Sequence, residues 1–302
     1  MAGAKEIRRK ISSIKNTGKI TKAMELISTV KMKKAQDSVM AKKDFVMEML
    51  KVFLRIEETL GDFPLFKEGK GEKTLAVLIT SNKGLCGGYN VNVMKKVNNY
   101  IKTTGEEVDF ISVGKKAASF VARTGNNLVA DFSHDFTDHI QPIFTKRISR
   151  LLKDEFLSGK YKKVVVFYSH FVNTIKQVAV SKEFFPISSN DIKEYLSAVV
   201  SKFYDIEEEL NNSKNISYYE VEPSKEDLAE HVIPIILDMM FYDLLLEAKA
   251  SEHSSRMVAM KNAKDNAKKI AGALTLKYNK ARQAMITKEV SEITAGVESL
   301  KD

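Results

Sequence analysis

The stretch Leu75-Ala-Val-Leu-Ile-Thr-Ser-Asn-Lys-Gly-Leu-Cys-Gly-Gly-Tyr-Asn90 joins a short apolar run to a glycine-rich loop. Runs of this kind, rich in β-branched residues and bounded by turn residues, are typical of buried strands. Two similar runs occur at Val108–Val113 and Lys163–Tyr168. Helical patterns near residues 91–102, 115–123 and 138–158 separate them. This alternation predicts a small α/β domain with a mostly parallel, Rossmann-like sheet. Further strands are predicted at 177–181 and 216–221, with a helix near 190–211 between them.

Outside this middle region, the sequence predicts two long helices. All five prolines lie between Pro64 and Pro234, so both ends are free of helix breakers. One helix is expected over about Ile7–Leu60 and the other over about Ile235–Leu300, where Pro234 predicts a break or kink at the start. At about 1.5 Å per residue these helices would be roughly 80 and 100 Å long, too long for a compact globule of this size.

Apolar residues in both helices recur at alternating spacings of three and four residues, which is typical of coiled coils. In the first helix the stripe begins with Ile7, Ile11 and Ile14, is offset near Gly18, where a kink is expected, and continues with Met24 and Ile27. The later members of the two stripes are Val39, Lys42, Val46, Met49, Phe53, Ile56 and Leu60, and Ile286, Val290, Ile293, Val297 and Leu300. The stripes do not give the direction of pairing, but both helices connect to the same middle region. The predicted fold is therefore a long antiparallel coiled coil of the N- and C-terminal helices plus the α/β domain, divided at residues 1–60, 72–222 and 225–302.

The positive charge of the chain is concentrated at its N-terminal end. The 302 residues carry a formal net charge of +9, and residues 1–43 alone hold 12 basic and 3 acidic side chains. A basic end of this kind attracts nucleic acid, an anionic membrane or an acidic protein surface. No aromatic residue precedes Phe45, which disfavours base stacking. A solvated helix face, an acidic protein partner and a basic adaptor for nucleic acid or membrane all remain open from the pattern alone.

Catalytic and metal sites are not indicated by the residues. The glycine loop at 81–90 lacks the spacing of a P-loop, so a tight turn at the sheet edge is favoured over a nucleotide site or a protein contact surface. Cys86 is predicted to be a small buried thiol, and a single cysteine excludes a disulfide framework. His134 and His139, with Asp131, Asp135 and Asp138, are interpreted as a solvated loop in preference to a metal site. No cofactor is expected.

Four long motifs resemble one known family in sequence order. They are Ala4-Lys-Glu-Ile-Arg-Arg-Lys-Ile11 with Thr17-Gly-Lys-Ile-Thr-Lys-Ala-Met24, the glycine loop Thr80–Asn90, Glu247-Ala-Lys-Ala-Ser-Glu-His-Ser-Ser-Arg-Met-Val-Ala-Met260, and Leu274-Thr-Leu-Lys-Tyr-Asn-Lys-Ala-Arg-Gln-Ala-Met-Ile-Thr-Lys-Glu289. This arrangement is similar to the γ subunit of F-type ATP synthases. The resemblance implies a non-catalytic rotor shaft, present in one copy, that couples ion-driven rotation of a membrane c-ring to ATP synthesis and hydrolysis in three β subunits. Its implied partners are the α and β subunits, the ε subunit and the c-ring, with no nucleic acid.

The resemblance also implies roles for individual residues. Arg282, Gln283 and Thr287 resemble shaft positions that bind a catch loop of the β subunit, and an arginine fork suits a carboxylate there. Three further positions, Glu289, Glu292 and Met24, resemble coupling contacts, with Met24 expected to pack near Arg282 and Gln283. The basic side chains expected to face acidic β-subunit loops are Lys19, Lys22, Lys31, Lys33 and Lys34. The residues expected to dock on ε and the c-ring are Tyr218, Tyr219 and Glu220.

A bacterial form is expected. The chain begins at Met1 without a transit-like leader, lacks an apolar signal-peptide core and contains no inserted cysteine pair. Together with the resemblance, these features predict a peripheral protein on the cytoplasmic face of the bacterial inner membrane.

Overall fold

A computed structural model describes residues 2–57, 60, 63–205 and 224–298. Two helices begin the chain, α1 (Ala2–Met40) and α2 (Lys43–Ile56). The helices and strands that follow are β1 (Lys73–Ile79), α3 (Tyr89–Thr104), β2 (Val108–Val113), α4 (Lys115–Thr124), β3 (Leu128–Asp131), α5 (Pro142–Leu157), β4 (Tyr161–Phe171), β5 (Gln177–Phe185), α6 (Ser189–Val200) and α7 (Lys225–Glu298). They form two compact units, one of residues Met1–Thr29 with Arg256–Asp302 and one of residues Val30–Ser255.

The sheet of the second unit has the order β3-β2-β1-β4-β5. Strands β1 to β4 pair in parallel and β5 pairs antiparallel with β4. The three central runs were predicted as strands, and the mostly parallel α/β sheet is confirmed. Strand β3 was not predicted, because its four residues form a partly exposed edge without the apolar signature of the central strands.

Both faces of the sheet are covered. Residues of α3 and α4, such as Val93, Val97 and Phe120, pack on one face. The other face carries the larger core, to which α2, α5, α6 and the first half of α7 contribute, with Phe53, Ile148 and Phe241 among the fully buried side chains. This burial on both faces explains why β1 and β2 consist almost wholly of buried residues.

Two of the long-helix predictions and one prediction for a shorter helix need correction. The first helix is not continuous to Leu60, because a turn at Ala41–Lys42 separates α1 from α2, which ends at Ile56. Helix α7 begins at Lys225 and passes through Pro234 without a break in its helical assignment. Helix α5 begins at Pro142 rather than near 138, because proline at the first helical position is well accommodated and Asp138 belongs to the preceding loop.

Some predictions lie wholly or partly outside the described residues. These include the strand at 216–221 and the part of the helix predicted near 190–211 that lies beyond residue 205. Within the described residues that helix is α6, which ends at Val200, so its predicted extension over 201–205 is wrong. The proposed division at 1–60, 72–222 and 225–302 remains a prediction. Among the described residues, no helix combines the length and the apolar character needed to cross a membrane.

Candidate functional site

The first unit is a pair of antiparallel helices formed by α1 and α7. Two contacts set the register. A Cβ added at Gly18 would lie 3.6 Å from the Cβ of Ala267, and the Lys264 ammonium lies 2.7 Å from a Glu25 carboxylate oxygen. As the residue number rises in α1, its partner number falls in α7. The antiparallel pairing, predicted because both helices connect to the same middle region, is therefore present in this unit.

Small and polar residues occupy the seam between these helices. The half-buried and buried positions of α1 follow an unbroken 4-3 spacing through Ile7, Ile11, Ile14, Gly18, Thr21, Glu25 and Ser28. The offset expected near Gly18 is therefore wrong, since the stripe continues in register with small side chains. Ile27 is 53% exposed and lies off the seam. On α7 the buried positions Ala267 and Ala271 are also small, which lets the two backbones approach closely.

A groove beside this seam is lined by lysines. Its charged residues are Lys15, Lys19 and Lys22 from α1 and Lys264 and Lys268 from α7. Its floor is formed by small residues, Gly18, Ala267, Ala271 and Gly272. Of these lysines, Lys264 contacts Glu25, whose side chain is mostly buried. The groove therefore presents several positive charges over a shallow apolar floor, a surface suited to an acidic partner.

The end of α7 carries the predicted coupling residues on its surface. All five positions on this helix, Arg282, Gln283, Thr287, Glu289 and Glu292, are exposed. Thr287 donates a hydrogen bond to the backbone carbonyl of Gln283, and Glu292 lies 3.6 Å from Lys288. At about 100° per residue, Arg282 and Glu289 lie within a narrow angular range of the helix, while Gln283 and Thr287 lie on an adjoining face.

Apolar side chains are exposed among these polar positions. Ile286, Val290 and Ile293 are 51%, 57% and 67% exposed. The sequence predicted that this stripe pairs within the chain, and for these three residues that is wrong. The reason is length, because the register set by Gly18 brings the start of α1 level with about residue 285 of α7. The following turns of α7 have no neighbour from the described residues of α1.

Met24 does not lie beside Arg282. Its neighbour in α1, Glu25, pairs with Lys264, and 18 residues separate Lys264 from Arg282 along α7. At about 1.5 Å per residue this is roughly 27 Å. The expected packing of Met24 near Arg282 and Gln283 is therefore incorrect, although Met24 is half-buried on the helix pair.

The remaining predicted basic contacts fall in the second unit. Lys33 and Lys34 are exposed, as a contact surface requires. Lys31 is different, because its ammonium lies 2.6 Å from Asp138 of the same chain. The third predicted set, Tyr218, Tyr219 and Glu220, lies outside the described residues.

The glycine loop is consolidated by its own hydrogen bonds. Ser81 donates its amide to the Asn90 side chain at 3.0 Å, and Asn90 donates to Cys86 Sγ at 3.2 Å. Tyr89 donates its hydroxyl to the Ala248 carbonyl of α7 at 3.1 Å. Cys86 is 2% exposed, which confirms the prediction of a buried thiol. These contacts fit a structural turn at the carboxyl end of β1 that is held against α7, because Ser81, Tyr89 and Asn90 bond within the protein.

The predicted polar residues at and after the end of β3 are exposed, and some of them also bond within the protein. His134 is fully exposed, but Asp131 accepts hydrogen bonds from Ser112 and Ser133, and these hold its pKa below the ordinary value although burial acts in the opposite direction. Asp138 contacts Lys31 and His253. All five residues are exposed, as a solvated loop requires, although Asp131 is the last residue of β3 and Asp138 also contacts two side chains of the same chain. Within the described residues, no group of three or more His, Cys, Asp or Glu is arranged to hold a metal ion.

Comparisons with known proteins match the whole chain. A family model described as ATP synthase matches residues 3–300. The ATP synthase gamma chain of Herpetosiphon aurantiacus is 36% identical over 99% of this chain and 99% of that protein. The gamma chain of Flavobacterium psychrophilum is also 36% identical, over the full length of both chains. The chain belongs to the ATP synthase gamma chain family.

Solved structures share the fold of this gamma-chain family member. A chain from the rotational state 3 structure of Euglena gracilis mitochondrial ATP synthase has a TM-score of 0.65 at 17% identity and covers 99% of this chain and 95% of its own. A chain from the central stalk and c-ring structure of the Tetrahymena thermophila enzyme has a TM-score of 0.55 at 24% identity, covering 81% and 99%. The family and the fold class predicted from the motifs are confirmed, and no comparison supports the adaptor alternative.

Sequence reasoning missed one group of residues in this gamma-chain family member. Lys249, Glu252 and His253 of α7 are buried and lie near Asp138. Their sequence signal was available, since Lys249, Glu252 and His253 follow a 3-4 spacing and therefore share one helix face with the apolar core. Their partner could not be identified, because Asp138 is more than 100 residues away in sequence.

Proposed function

We propose that this gamma chain is the central rotor shaft of its ATP synthase and has no catalytic residue of its own. Ion flow through the membrane c-ring would turn the shaft, and the shaft would bias the three catalytic β subunits toward different nucleotide affinities. This is coupling by differential contact, in which one asymmetric partner stabilises a different state of each subunit. Full-length membership in the gamma-chain family is the observation that carries the proposal.

The end of α7 fits contact with the β subunits. Exposed Ile286, Val290 and Ile293 alternate with exposed Arg282 and Glu289. Exposed apolar side chains on an unpaired helix favour a protein partner that covers them. Arg282 is suited to bridge a carboxylate of a catch loop, with Gln283 and Thr287 as neutral hydrogen-bonding groups. Glu289 and Glu292 are proposed as further coupling contacts on the same stretch.

The lysine-lined groove fits the acidic loops of the β subunits. Lys19 and Lys22 line it directly, and we place Lys33 and Lys34 in the same role on the basis of their exposure. Long exposed lysines attract an acidic surface without fixing one geometry, which suits a contact that must be remade as the shaft turns. Lys31 is left out of this set because it already contacts Asp138. Met24, half-buried on the helix pair, is proposed to pack against a β subunit close to these lysines.

The location follows from these partners. One copy of the shaft would reach into the α and β ring, and ε and the c-ring would hold it through the region of Tyr218, Tyr219 and Glu220. It would then be a peripheral protein on the cytoplasmic face of the bacterial inner membrane. The bacterial relatives that match over their whole length support this placement.

Reconstitution with cognate α and β subunits tests the proposal. We expect one copy bound per six-subunit ring by native mass spectrometry, with steady ATPase activity higher than that of the ring alone. Arg282→Ala with Gln283→Ala is expected to lower complex yield or ATP synthesis, while the circular dichroism spectrum of the isolated chain stays unchanged. Asn279→Ala with Lys280→Ala, also exposed on α7, is the matched control. Failure of the folded wild-type chain to bind the ring would refute the shaft proposal.

A further inference from the structure

One loop of the second unit contacts both long helices, α1 and α7, through a single carboxylate. Asp138 lies between β3 and α5. Its Oδ2 is 2.6 Å from the ammonium of Lys31 in α1. Its Oδ1 is 3.1 Å from Nε2 of His253 in α7, and 4.0 Å from the ammonium of Lys249 in the same helix. Asp138 therefore faces cationic or titratable partners on both helices.

The α7 residues near Asp138 are buried, so their polar and charged groups depend on partners within the protein. Lys249, Glu252 and His253 are each no more than 3% exposed. Lys249 lies 3.0 Å from Glu252, and its ammonium lies 3.9 Å from the ring centroid of Phe136 in the same loop as Asp138. A buried ammonium is costly unless it is compensated. The loop thus supplies both an aromatic face and a carboxylate to α7.

The loop is in turn fixed to the sheet. Asn82, three residues after the end of β1, donates to the carbonyls of Ser133 and Phe136 at 2.9 and 2.8 Å. The same side chain accepts a hydrogen bond from the amide of Lys115, at the start of α4. Asp131 accepts from Ser112 of β2 at 2.6 Å. A continuous set of hydrogen bonds therefore runs from the carboxyl ends of β1 and β2 to the loop that carries Asp138.

We propose that Asp138 is a positioning residue of the rotor, which locks α1 and α7 to the sheet so that both helices turn with it. The inference rests on the proposed shaft function and adds a residue outside the predicted β-subunit contacts. A shaft made of two helices transmits rotation faithfully only if neither helix shifts relative to the domain that drives it. Asp138 opposes such a shift in both helices at once.

The electrostatic balance of the cluster supports this role. Around Asp138 stand Lys31 from α1 and Lys249, Glu252 and His253 from α7, with His134, Asp135 and His139 in its own loop. Replacing the carboxylate by a neutral amide removes the negative charge that faces both Lys31 and Lys249, while Lys249 keeps Glu252 at 3.0 Å. Because Lys249 is buried, the loop would then be held less tightly on α7.

The test uses the assembled ATP synthase in inverted membrane vesicles. The variant is Asp138→Asn, and the matched control is Asp135→Asn, which removes the same charge from the same loop but contacts Arg147 of α5 at 2.9 Å instead of the long helices. Two quantities are measured: hydrogen exchange of the loop amides 132–141, and the membrane potential formed at a given rate of ATP hydrolysis, followed with a voltage-sensitive dye. The dye reports the potential whichever ion is transported.

The proposal predicts exchange in this loop faster by about tenfold or more in Asp138→Asn, since a charge-assisted contact to a buried partner is lost. It also predicts a lower potential at equal hydrolysis, while Asp135→Asn matches wild type. A merely structural role would change the exchange rate and leave the ratio of potential to hydrolysis unaltered, and that result would overturn the proposal.

A second variant is tested in case the Asp138→Asn complex does not assemble. His253→Gln keeps a polar side chain but removes the imidazole that contacts Asp138. It is expected to lower the ratio of membrane potential to ATP hydrolysis to a smaller extent than Asp138→Asn does. An unchanged ratio in an assembled His253→Gln complex would also overturn the proposal. Failure of wild type itself to assemble or to form a potential would instead refute the shaft function, so the two failures are distinguishable.

Discussion

At the scale of the residue, partly buried charges of the second unit are stabilised by ion pairs and hydrogen bonds with specific side chains. Lys163 of β4 lies 2.9 Å from Glu106, which also accepts hydrogen bonds from Thr74 and Tyr100. Partial burial acts to lower the pKa of Lys163, but the contacts with Glu106 and Tyr100 outweigh it and raise that pKa to about 12. The pKa of Glu106 is lowered, because the bonds from Lys163, Thr74 and Tyr100 outweigh its burial. This network joins β1, α3 and β4.

Lys163→Met is expected to lower the free energy of unfolding by about 1–2 kcal/mol, because a charge-assisted bond is lost. The pH dependence of this stabilisation follows from the pKa shifts of both groups. The Glu106 contribution is complete above its ordinary pKa of 4.5 and is lost as pH falls through the lowered value. The Lys163 contribution is complete below 10.5 and is lost as pH rises through about 12. Between these pH limits, urea unfolding should show a constant difference in unfolding free energy between Lys163→Met and wild type. Lys162→Met, at an exposed position, is the control. Equal effects of the two substitutions would contradict the account.

Two glycines are expected to respond in opposite directions to alanine. Gly18 lies within α1, and its added Cβ would meet only the Ala267 Cβ at an ordinary 3.6 Å. Gly18→Ala should therefore raise stability by about 0.5–1 kcal/mol. Gly114 has a φ of +113°, and its added Cβ would lie 2.2 Å from the Thr80 carbonyl oxygen. Gly114→Ala should destabilise by more than Gly18→Ala stabilises. Thermal unfolding of both variants tests this pair, and a loss of stability in Gly18→Ala would show that the seam lacks room.

At the scale of the element, the turn between α1 and α2 illustrates what the sequence could not predict. Lys42 occupies an apolar position of the predicted stripe, yet it pairs with Asp243 of α7 and lies over the Tyr242 ring. Tyr195 of α6 donates to the same Asp243 at 2.6 Å. The 3-4 periodicity continues across the turn, so the local pattern gave no sign of a break. The break is explained by partners more than 150 residues away in the sequence.

Asp243→Asn is expected to cost about 3 kcal/mol of unfolding free energy, because Lys42 keeps a mostly buried charge without its carboxylate. Burial already lowers the pKa of Lys42, and Asp243 opposes that shift. The double variant Lys42→Met with Asp243→Asn should recover part of the loss, since no buried charge then remains unpaired. Glu230→Gln, an exposed charge on the same helix, is the control in denaturant titrations. Additive losses in the double variant would show that the two side chains do not act as a pair.

The predictions for strands and helices succeeded where periodicity is strong. The apolar runs at 75–80, 108–113 and 163–168 were predicted as strands because burial on both sheet faces leaves a continuous apolar signature. Exposed Ile286, Val290 and Ile293 have the same spacing as a paired stripe, so periodicity alone could not show that α1 ends before reaching them. The contact positions came from the resemblance to the family, and exposure of Arg282 and Gln283 agrees with that role without testing it.

At the scale of the whole molecule, the net charge belongs to one end of the chain. Residues 1–43 hold 12 basic and 3 acidic side chains, and Lys19 and Lys22 of this segment line the groove of the helix pair. Concentrated charge of this kind speeds association with an opposite surface and is screened by salt. The proposed shaft function would give this charge a partner in the acidic loops of the β subunits.

Lys19→Glu with Lys22→Glu is expected to weaken binding to the α and β ring by about tenfold or more at low salt, mainly through slower association. High salt should shrink the difference from wild type, because the affected charges are exposed. Lys95→Glu with Lys96→Glu, which changes the same charge on exposed positions of α3, is the control. Surface plasmon resonance on an immobilised ring gives both rates. A difference that is independent of salt would contradict an electrostatic role for the groove.

The central claim, that this chain is the turning shaft of the complex, is tested most directly by watching it turn. The cognate ring is fixed to a surface and a bead is attached through a cysteine introduced at exposed Lys116 of α4, with buried Cys86 replaced by serine. The account predicts continuous rotation of the bead in one direction when ATP is added, and none without ATP. A complex that hydrolyses ATP at its full rate while the bead shows no directed rotation would contradict it.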